Sequence, residues 1–223
     1  MVRVIFPSVS RRTFAKLPAT SPPLSYVGGD VVRQDDGPVI FEGLSIEKFL
    51  ALPEAKPALE YLDGKVVQKV SPKATHSVLQ SNFPSCIDGH ARPRGLGRAY
   101  PELRCTFGGR SIVPDVSFFA RGRLPRDKRG RLLDDVFQPP DLAIEILSRG
   151  ETIRNLSAKL DFCIRNGVRL GWLVQPTRDR VFVFRPGHPA EILEGAAVLT
   201  GDGVLPDFTL PLPELFGWLT EEV

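Results

Sequence analysis

The chain has 223 residues, of which 42% are hydrophobic and 25% charged, and this allows one sizeable core with a small appendage at most. The formal charge of +3 permits a nucleic-acid partner but is too small to indicate one. No run of about 18 apolar residues is present and the apolar stretch at the start is short, which argues against a membrane-spanning helix and a secretion signal.

The first 43 residues differ in composition from the rest of the chain. Proline and glycine recur throughout residues 1–43, which predicts an extended arm or linker. A single folded domain is expected over residues 44–223. The apolar residues at positions 2 and 4–6 would find few partners within an isolated arm, so a homodimer is expected as well.

Local signals mark the start of the folded part. Ser45 is a candidate helix N-cap ahead of an apolar stripe, which predicts a short helix after it. The pair Asp63-Gly64 stands between two apolar runs, over residues 58–62 and 65–70. An Asp-Gly pair in this position predicts a hairpin.

The remaining pattern alternates between short apolar runs and helical stretches. Predicted elements are a helix over 74–90 that Pro84 would kink or split, strands over 98–107, 111–119 and 141–147, a helix over 151–166, strands over 170–174 and 180–184, and a closing helix over 213–219. This order indicates an α/β fold in which a mixed sheet is flanked by helices.

A basic loop is expected between the last two strands of the first group, over residues 121–140. Its cationic residues are Arg121, Arg123, Arg126, Lys128, Arg129 and Arg131. Such a cluster is either a solvated loop or, beside an active site, a means to grip phosphates. The sequence supports these two interpretations equally.

The three cysteines, Cys86, Cys105 and Cys163, are scattered and show no Cys-x-x-Cys spacing. This pattern argues against a structural zinc site and against a disulfide framework. A reducing, cytoplasmic location is therefore expected.

Two carboxylates lie inside otherwise apolar predicted strands. Asp115 lies in the segment 111–119, and Glu145 has apolar neighbours on both sides in the segment 141–147. If these strands pair, both carboxylates can project from one side and, with the backbone carbonyl of Ile146, offer oxygen ligands. Oxygen ligands suit Mg²⁺ or Mn²⁺.

An amine follows on the next predicted helix. Lys159 borders the core-facing stripe of Leu156, Leu160 and Cys163. From there its ammonium group could orient a water molecule and stabilise developing charge on a phosphate. Taken alone, Lys159 would be a solvated helix lysine, Asp115 a turn residue, and Glu145 the partner of a structural Arg or Lys.

Several segments together resemble a known family. They are residues 44–53, Glu60 to Gly64, residues 71–76, residues 113–118, residues 141–148, Lys159, residues 167–174 and residues 205–216. Their order and spacing resemble the Uma-2 family of restriction-endonuclease-like proteins, within the PD-(D/E)XK nuclease superfamily. The resemblance covers about three-quarters of the chain and leaves out the N-terminal arm.

The resemblance implies a restriction-endonuclease-like fold with a central mixed sheet and helices on both sides. It implies that Asp115 and Glu145 bind the metal and that Lys159 is the catalytic lysine, displaced from the strand to the helix. Glu60 matches an acidic residue of the family that is a candidate to hold a water or a second metal ion. His76 matches a histidine at the start of the following helix and is expected to support the site.

Two positions depart from the pattern of the family. Gln175 stands where an Asp often precedes the proline, and Cys163 stands where a Tyr often follows the catalytic lysine by four residues. Glu102 lies on a strand near the expected site, as an exposed strand residue or a supporting group.

The candidate site and the resemblance together predict a Mg²⁺- or Mn²⁺-dependent DNA endonuclease. The alternative is a catalytically inactive nucleic-acid-binding or assembly protein.

Overall fold

The computed structural model describes residues 3–20, 23–33 and 39–220. In chain order the strands are β1 (Arg3–Phe6), β2 (Ser25–Val27), β3 (Asp30–Arg33), β4 (Val39–Glu42), β5 (Leu59–Leu62), β6 (Lys65–Gln68), β7 (Gly97–Pro101), β8 (Cys105–Phe107), β9 (Arg110–Ile112), β10 (Val116–Ala120), β11 (Leu142–Ile146), β12 (Leu170–Gln175), β13 (Arg180–Phe184), β14 (Glu191–Glu194), β15 (Val198–Thr200) and β16 (Thr209–Pro211). The helices are α1 (Arg11–Phe14), α2 (Ile46–Leu50), α3 (Ala74–Ala91), α4 (Ile153–Arg165) and α5 (Leu212–Gly217), with a turn of 3-10 helix at Pro176–Arg178. Among these helices, none is long and apolar enough to cross a membrane.

The described chain forms two compact units. The first takes the N-terminal part up to Ser71 together with Gly108–Val113, and the second takes Pro72–Phe107 and Pro114–Val223. This division differs from the expected arm over residues 1–43 and single domain over 44–223. The chain leaves the second unit after β8 and returns to it at Pro114, so no single boundary in sequence separates the two.

The first unit contains two antiparallel sheets. One has the strand order β1-β3-β2, and the other has the order β4-β6-β5-β9. The predicted hairpin at Asp63-Gly64 is confirmed, since β5 and β6 pair across it with Leu62 opposite Lys65. Ser45 caps α2 as predicted, because its hydroxyl accepts the backbone N–H of Lys48.

The predicted arm is folded where the structure describes it. Four strands lie within residues 1–43, and Ile5 and Phe6 are fully buried in a core that also contains Phe41. These side chains are covered within their own unit, because the strands pair with one another and present an apolar face. Ile5 and Phe6 therefore need no second copy of the chain to cover them. The homodimer stays a prediction. Residues 1–2, 21–22 and 34–38 of the arm lie outside the described residues.

The second unit is built around a six-stranded mixed sheet in the order β14-β13-β12-β11-β10-β7. The pair β11 and β12 is parallel and is joined through α4, while the other neighbouring pairs are antiparallel. This is the α/β architecture expected from the sequence. A hairpin of β15 and β16 leads into α5.

The two faces of this sheet carry different side chains because strand residues alternate. Even-numbered residues of β11 and β12, such as Ile144 and Trp172, pack with Phe83 of α3 and with α5 in one core. Odd-numbered residues, including Glu145, therefore face the other side. There α4 packs, and Leu160 lies so close to Gly171 that a Cβ at this glycine would be 3.3 Å from Leu160 Cδ2.

Several predicted elements have other limits in the structure. The strand expected over 98–107 is split into β7 and β8, and the strand expected over 111–119 is split into β9 and β10, which belong to different units. Each break has a local cause: Glu102 has a left-handed φ of 47°, and Pro114 has no N–H for a ladder. The helix expected over 74–90 continues through Pro84 as one element.

Candidate active site

Asp115 immediately precedes β10 and follows Pro114. Its carboxylate is 2% exposed. Asp115 Oδ2 accepts the backbone N–H of Ile146 at 2.7 Å and lies 3.0 Å from Nε2 of His76. These contacts fix the side chain against β11 on one side and α3 on the other.

Glu145 lies within β11 and is also 2% exposed. The register of β10 and β11 pairs Val116 with Ile144 and Ser117 with Ala143. Continued by one residue, this register places Asp115 opposite Glu145. Side chains at directly opposite positions share a face, with Cβ atoms about 5 Å apart.

Lys159 approaches the same place from α4. Its Nζ is 2.8 Å from Glu145 Oε1, and the lysine side chain is only 8% exposed. The helix begins at the cap Thr152, whose hydroxyl accepts the N–H of Asn155, and its buried stripe includes Lys159 next to Leu160. The expectation that Lys159 borders the core, and not the solvent, is confirmed.

The charges of Asp115, Glu145 and Lys159 affect one another. If the two carboxylates lie about as far apart as the Cβ atoms of an opposed pair, about 5 Å, they repel by about 3 kcal/mol at an effective dielectric constant of 20. The ammonium group of Lys159 offsets part of this repulsion, and Asp115 gains further stabilisation from the N–H of Ile146. With Asp115, Glu145 and Lys159 ionised, the formal charge of the three groups is −1, which favours the approach of a cation.

The backbone around Asp115 is held by two further groups. The carbonyl of Asp115 accepts the side-chain amide of Gln80 at 3.3 Å and the backbone N–H of Glu102 at 3.2 Å. The sequence analysis did not identify Gln80. A signal was available, since Gln80 follows His76 by four residues and therefore shares its helix face.

The other residues expected at the site lie as follows. Glu60 belongs to the first unit, is 5% exposed, and its carboxylate accepts the N–H of Val113 at 2.7 Å. Its role toward a water or second metal ion stays a prediction. The side chain of Glu102 is exposed, and the backbone carbonyl of Ile146 lies at the end of β11 beside Val174 of β12.

A buried cysteine lies near the same cluster. Burial raises the pKa of Cys105 to about 12, although a hydrogen bond with Ser117 and the positive charges of Lys159 and Arg104 lower it in part. The thiol therefore stays protonated at neutral pH. Because the thiolate is the reactive form, Cys105 is unsuited to act as a nucleophile.

The donor chemistry of the cluster fits a hard divalent cation. Asp115 and Glu145 offer carboxylate oxygens. In the part of the chain that the structure describes, no three His, Cys, Asp or Glu side chains are grouped so that they could hold a metal ion together. Structural zinc sites use four protein ligands, whereas Mg²⁺ is commonly held by one or two carboxylates and keeps several waters. The residues present fit Mg²⁺ or Mn²⁺ better than zinc.

The two departures from the family pattern are both buried. Gln175 ends β12 and is 8% exposed, and Cys163 is fully buried on α4, one turn beyond Lys159. Neither residue replaces Asp115, Glu145 or Lys159. A Cys in place of a Tyr removes a hydroxyl donor from this side of the helix.

The chain is similar to a known protein family and to a solved structure. A profile of the Uma2 family, described as "Putative restriction endonuclease", matches residues 46–213. A crystal structure of a "putative nuclease belonging to DUF820" from Anabaena variabilis ATCC 29413 is 36% identical, with a TM-score of 0.77 over 79% of this chain and 99% of that chain. No curated protein matches the chain. The profile covers both predicted strands and α4 completely, and the restriction-endonuclease-like fold expected from the sequence is confirmed: the chain belongs to the Uma2 family.

Proposed function

We propose that this protein is a metal-dependent endonuclease that hydrolyses phosphodiester bonds in DNA. The proposal rests on the convergence of three groups: Asp115 just before β10, Glu145 on β11 and Lys159 on α4. Lys159 Nζ lies 2.8 Å from Glu145 Oε1. The family match and the nuclease-like fold support the same reaction class.

In this proposal Asp115 and Glu145 hold a Mg²⁺ or Mn²⁺ ion, with the backbone carbonyl of Ile146 as a further oxygen donor. When bound, such an ion lowers the pKa of a coordinated water and offsets negative charge on the phosphate. In the overall reaction a water oxygen bonds to phosphorus while the bond to the leaving oxygen breaks, and the products are a phosphomonoester and a hydroxyl.

The protein's own groups orient the reactants. Lys159 presents an ammonium group that is largely removed from solvent, where electrostatic interactions with a phosphate are stronger than in water. His76 and the N–H of Ile146 hold the carboxylate of Asp115 in one orientation. Such pre-organisation avoids a reorganisation cost during the reaction.

A second function has a specific observation in its favour. Both carboxylates already contact protein groups: Glu145 contacts Lys159, and Asp115 contacts Ile146 and His76. If this network serves only stability, the protein does not cleave nucleic acid. It would then act as a nucleic-acid-binding or assembly protein on a nuclease-like scaffold. The departures at Cys163 and Gln175 favour the same alternative.

Supercoiled plasmid incubated with Mg²⁺, Mn²⁺ or a chelator separates the two functions. We expect nicked or linear products with either metal and none with the chelator, and we expect Asp115→Asn and Glu145→Gln to lower the rate at least a hundredfold. Arg12→Gln, an exposed change on α1 of the first unit, is a control that should cut like the parent. Binding of DNA by the parent without any nicking would support the inactive alternative and overturn the proposal.

The predicted cytoplasmic location and homodimer are part of this proposal. A homodimer would bring two sites to one duplex and would suit cleavage of both strands. Sedimentation of the parent at micromolar concentration measures its mass directly. A monomer mass would remove the homodimer without affecting the proposed chemistry.

A further inference from the structure

A second charged feature of the second unit lies away from Asp115 and Glu145. It is a cavity of about 210 Å³ between the segment after α3, strand β7 and the segment that follows β10. Four arginines line it: Arg92, Arg98, Arg121 and Arg126. We name this feature the arginine cavity.

The arginine cavity has a strong excess of positive charge. Its lining contains no Asp or Glu among the described residues. Arg98 has one carboxylate neighbour, Asp88 of α3, at 3.5 Å, while Arg92 and Arg121 have no ion-pair partner in the described part of the chain. Unpaired guanidinium groups around one concave surface indicate an anionic ligand, since guanidinium matches phosphate oxygens in geometry and charge.

The walls of the cavity are fixed before any ligand arrives. The backbone N–H of Arg121 donates to the carbonyl of Leu96 at 2.8 Å, which joins the two segments that carry the arginines. Arg98 lies 5.8 Å above the ring of Tyr100, and Tyr100 contacts Phe119 edge-on at 6.2 Å between ring centroids. A stacked guanidinium has less freedom to lose when it binds an oxyanion.

The size of the cavity limits what it can hold. Pockets that enclose a drug-sized ligand usually measure about 300–1,000 Å³, so about 210 Å³ accommodates a phosphate with part of a sugar, and not a whole cofactor. A phosphate of a nucleic-acid strand needs no more room than this, because the rest of the strand remains outside. The guanidinium side chains are exposed, and a strand can therefore reach them.

The cavity lies at the end of β10, the strand that Asp115 immediately precedes. Strand residues alternate, so Asp115, Ser117 and Phe119 share one face of the sheet, and Tyr100 is paired with Ser117 on that face. From Asp115 to Phe119 the chain advances by about 13 Å. A nucleic-acid strand that runs along β10 past Asp115 can therefore bring another of its backbone phosphates to the arginine cavity.

We propose that the arginine cavity binds a backbone phosphate of the nucleic-acid strand, about 13 Å along β10 from the bond at Asp115 and Glu145. This inference rests on the proposed function for the identity of the strand, and it names a second contact of the same substrate. The contact is independent of base sequence. It fixes the position of the strand along β10 and contributes affinity that depends on salt concentration.

One arginine of the basic loop over residues 121–140 has another role. Arg123 lies 3.5 Å from Asp141 and donates to the carbonyl of Pro139, so it holds the loop to the start of β11. Arg121 and Arg126 line the cavity together with Arg92 and Arg98 from a different part of the chain. The four arginines of the cavity could not be recognised as a group from the sequence, because they come from two segments about 25 residues apart.

Fluorescence anisotropy with a labelled 20-nucleotide strand and its duplex tests the proposal, with a chelator present so that no cleavage occurs. The variant Arg92→Gln/Arg121→Gln is expected to bind at least tenfold more weakly than the parent at low salt. The slope of log affinity against log salt should fall by about one for each phosphate that the variant no longer neutralises. The control Arg12→Gln removes one exposed charge from the first unit and should keep the slope of the parent.

The possible outcomes are distinct. Parent-like affinity and slope in the double variant would overturn the inference while leaving the cleavage result untouched. Much weaker binding by the double variant together with a parent that never cuts DNA would support the cavity and overturn only the proposed catalysis. A third outcome combines two measurements: inorganic phosphate raises the melting temperature of the parent but not of the double variant, while both proteins bind the strand equally. In that case the cavity is a site for a free anion, and the inference is wrong.

Discussion

The ion pair of Lys159 and Glu145 gives the sharpest stability prediction. The two side chains are 8% and 2% exposed and their charged atoms are 2.8 Å apart. Removal of one member of a buried pair leaves an uncompensated charge, at a cost of about 3–5 kcal/mol, whereas replacement of both members by well-packed neutral groups is often close to neutral. We expect Lys159→Met and Glu145→Gln each to lower the free energy of unfolding by about 3 kcal/mol or more.

The double variant Lys159→Met/Glu145→Gln should be clearly more stable than the sum of the two single losses predicts. Urea unfolding of the four proteins without metal measures this coupling, which should exceed about 1 kcal/mol for residues in contact. Lys48→Met, an exposed lysine on α2, is a matched control that should change stability by less than about 0.5 kcal/mol. Single losses below about 1 kcal/mol with additive behaviour would refute the buried pair.

Three further predictions test other parts of the structure. Thr152→Ala removes the hydroxyl that caps α4 and should cost about 1 kcal/mol in urea unfolding; an unchanged midpoint would contradict the cap. Gly97→Ala should be strongly destabilised, because its Cβ would overlap the carbonyl oxygen of Phe119, and a protein of parental melting temperature would show that β7 and β10 are not this close. Cys86 should react with a thiol reagent at pH 8 before Cys105, whose pKa burial raises to about 12; equal rates in the folded protein would contradict this burial.

The glycine prediction has a matched control within the chain. Gly187 lies in a turn with φ of 75°, and a Cβ there would meet no atom within 4 Å. Gly187→Ala should therefore cost only the strain of a left-handed backbone, about 1 kcal/mol. The difference between the two variants measures the close approach at Gly97 alone.

Local signals in the sequence predicted local structure well. The cap at Ser45, the hairpin at Asp63-Gly64 and the buried position of Lys159 follow from residue type, turn chemistry and helical spacing, which are fixed by neighbours in the chain. The apolar run around Glu145 predicted a strand for the same reason. The pairing of this strand with the strand after Asp115 was only a condition at the level of sequence, and the structure shows that it is met.

Features that depend on distant contacts could not be predicted in this way. Pro114 divides one apolar run between two units, and no property of residues 111–119 alone indicates that division. Four strands lie within residues 1–43, where composition alone favours an arm, because a high content of Pro and Gly indicates turns as well as linkers. The arginine cavity is formed by the segment after α3, by β7 and by the segment after β10, and only the sheet order brings them together.

The central claim is that Asp115 and Glu145 share one divalent cation. A crystal of the protein soaked in Mn²⁺, measured near the manganese absorption edge, tests this claim by locating the metal. We expect one strong anomalous peak within about 2.5 Å of an oxygen of each carboxylate, and no such peak in Glu145→Gln. A parent crystal with no anomalous density at these carboxylates, while Mn²⁺ is bound elsewhere, would contradict the account.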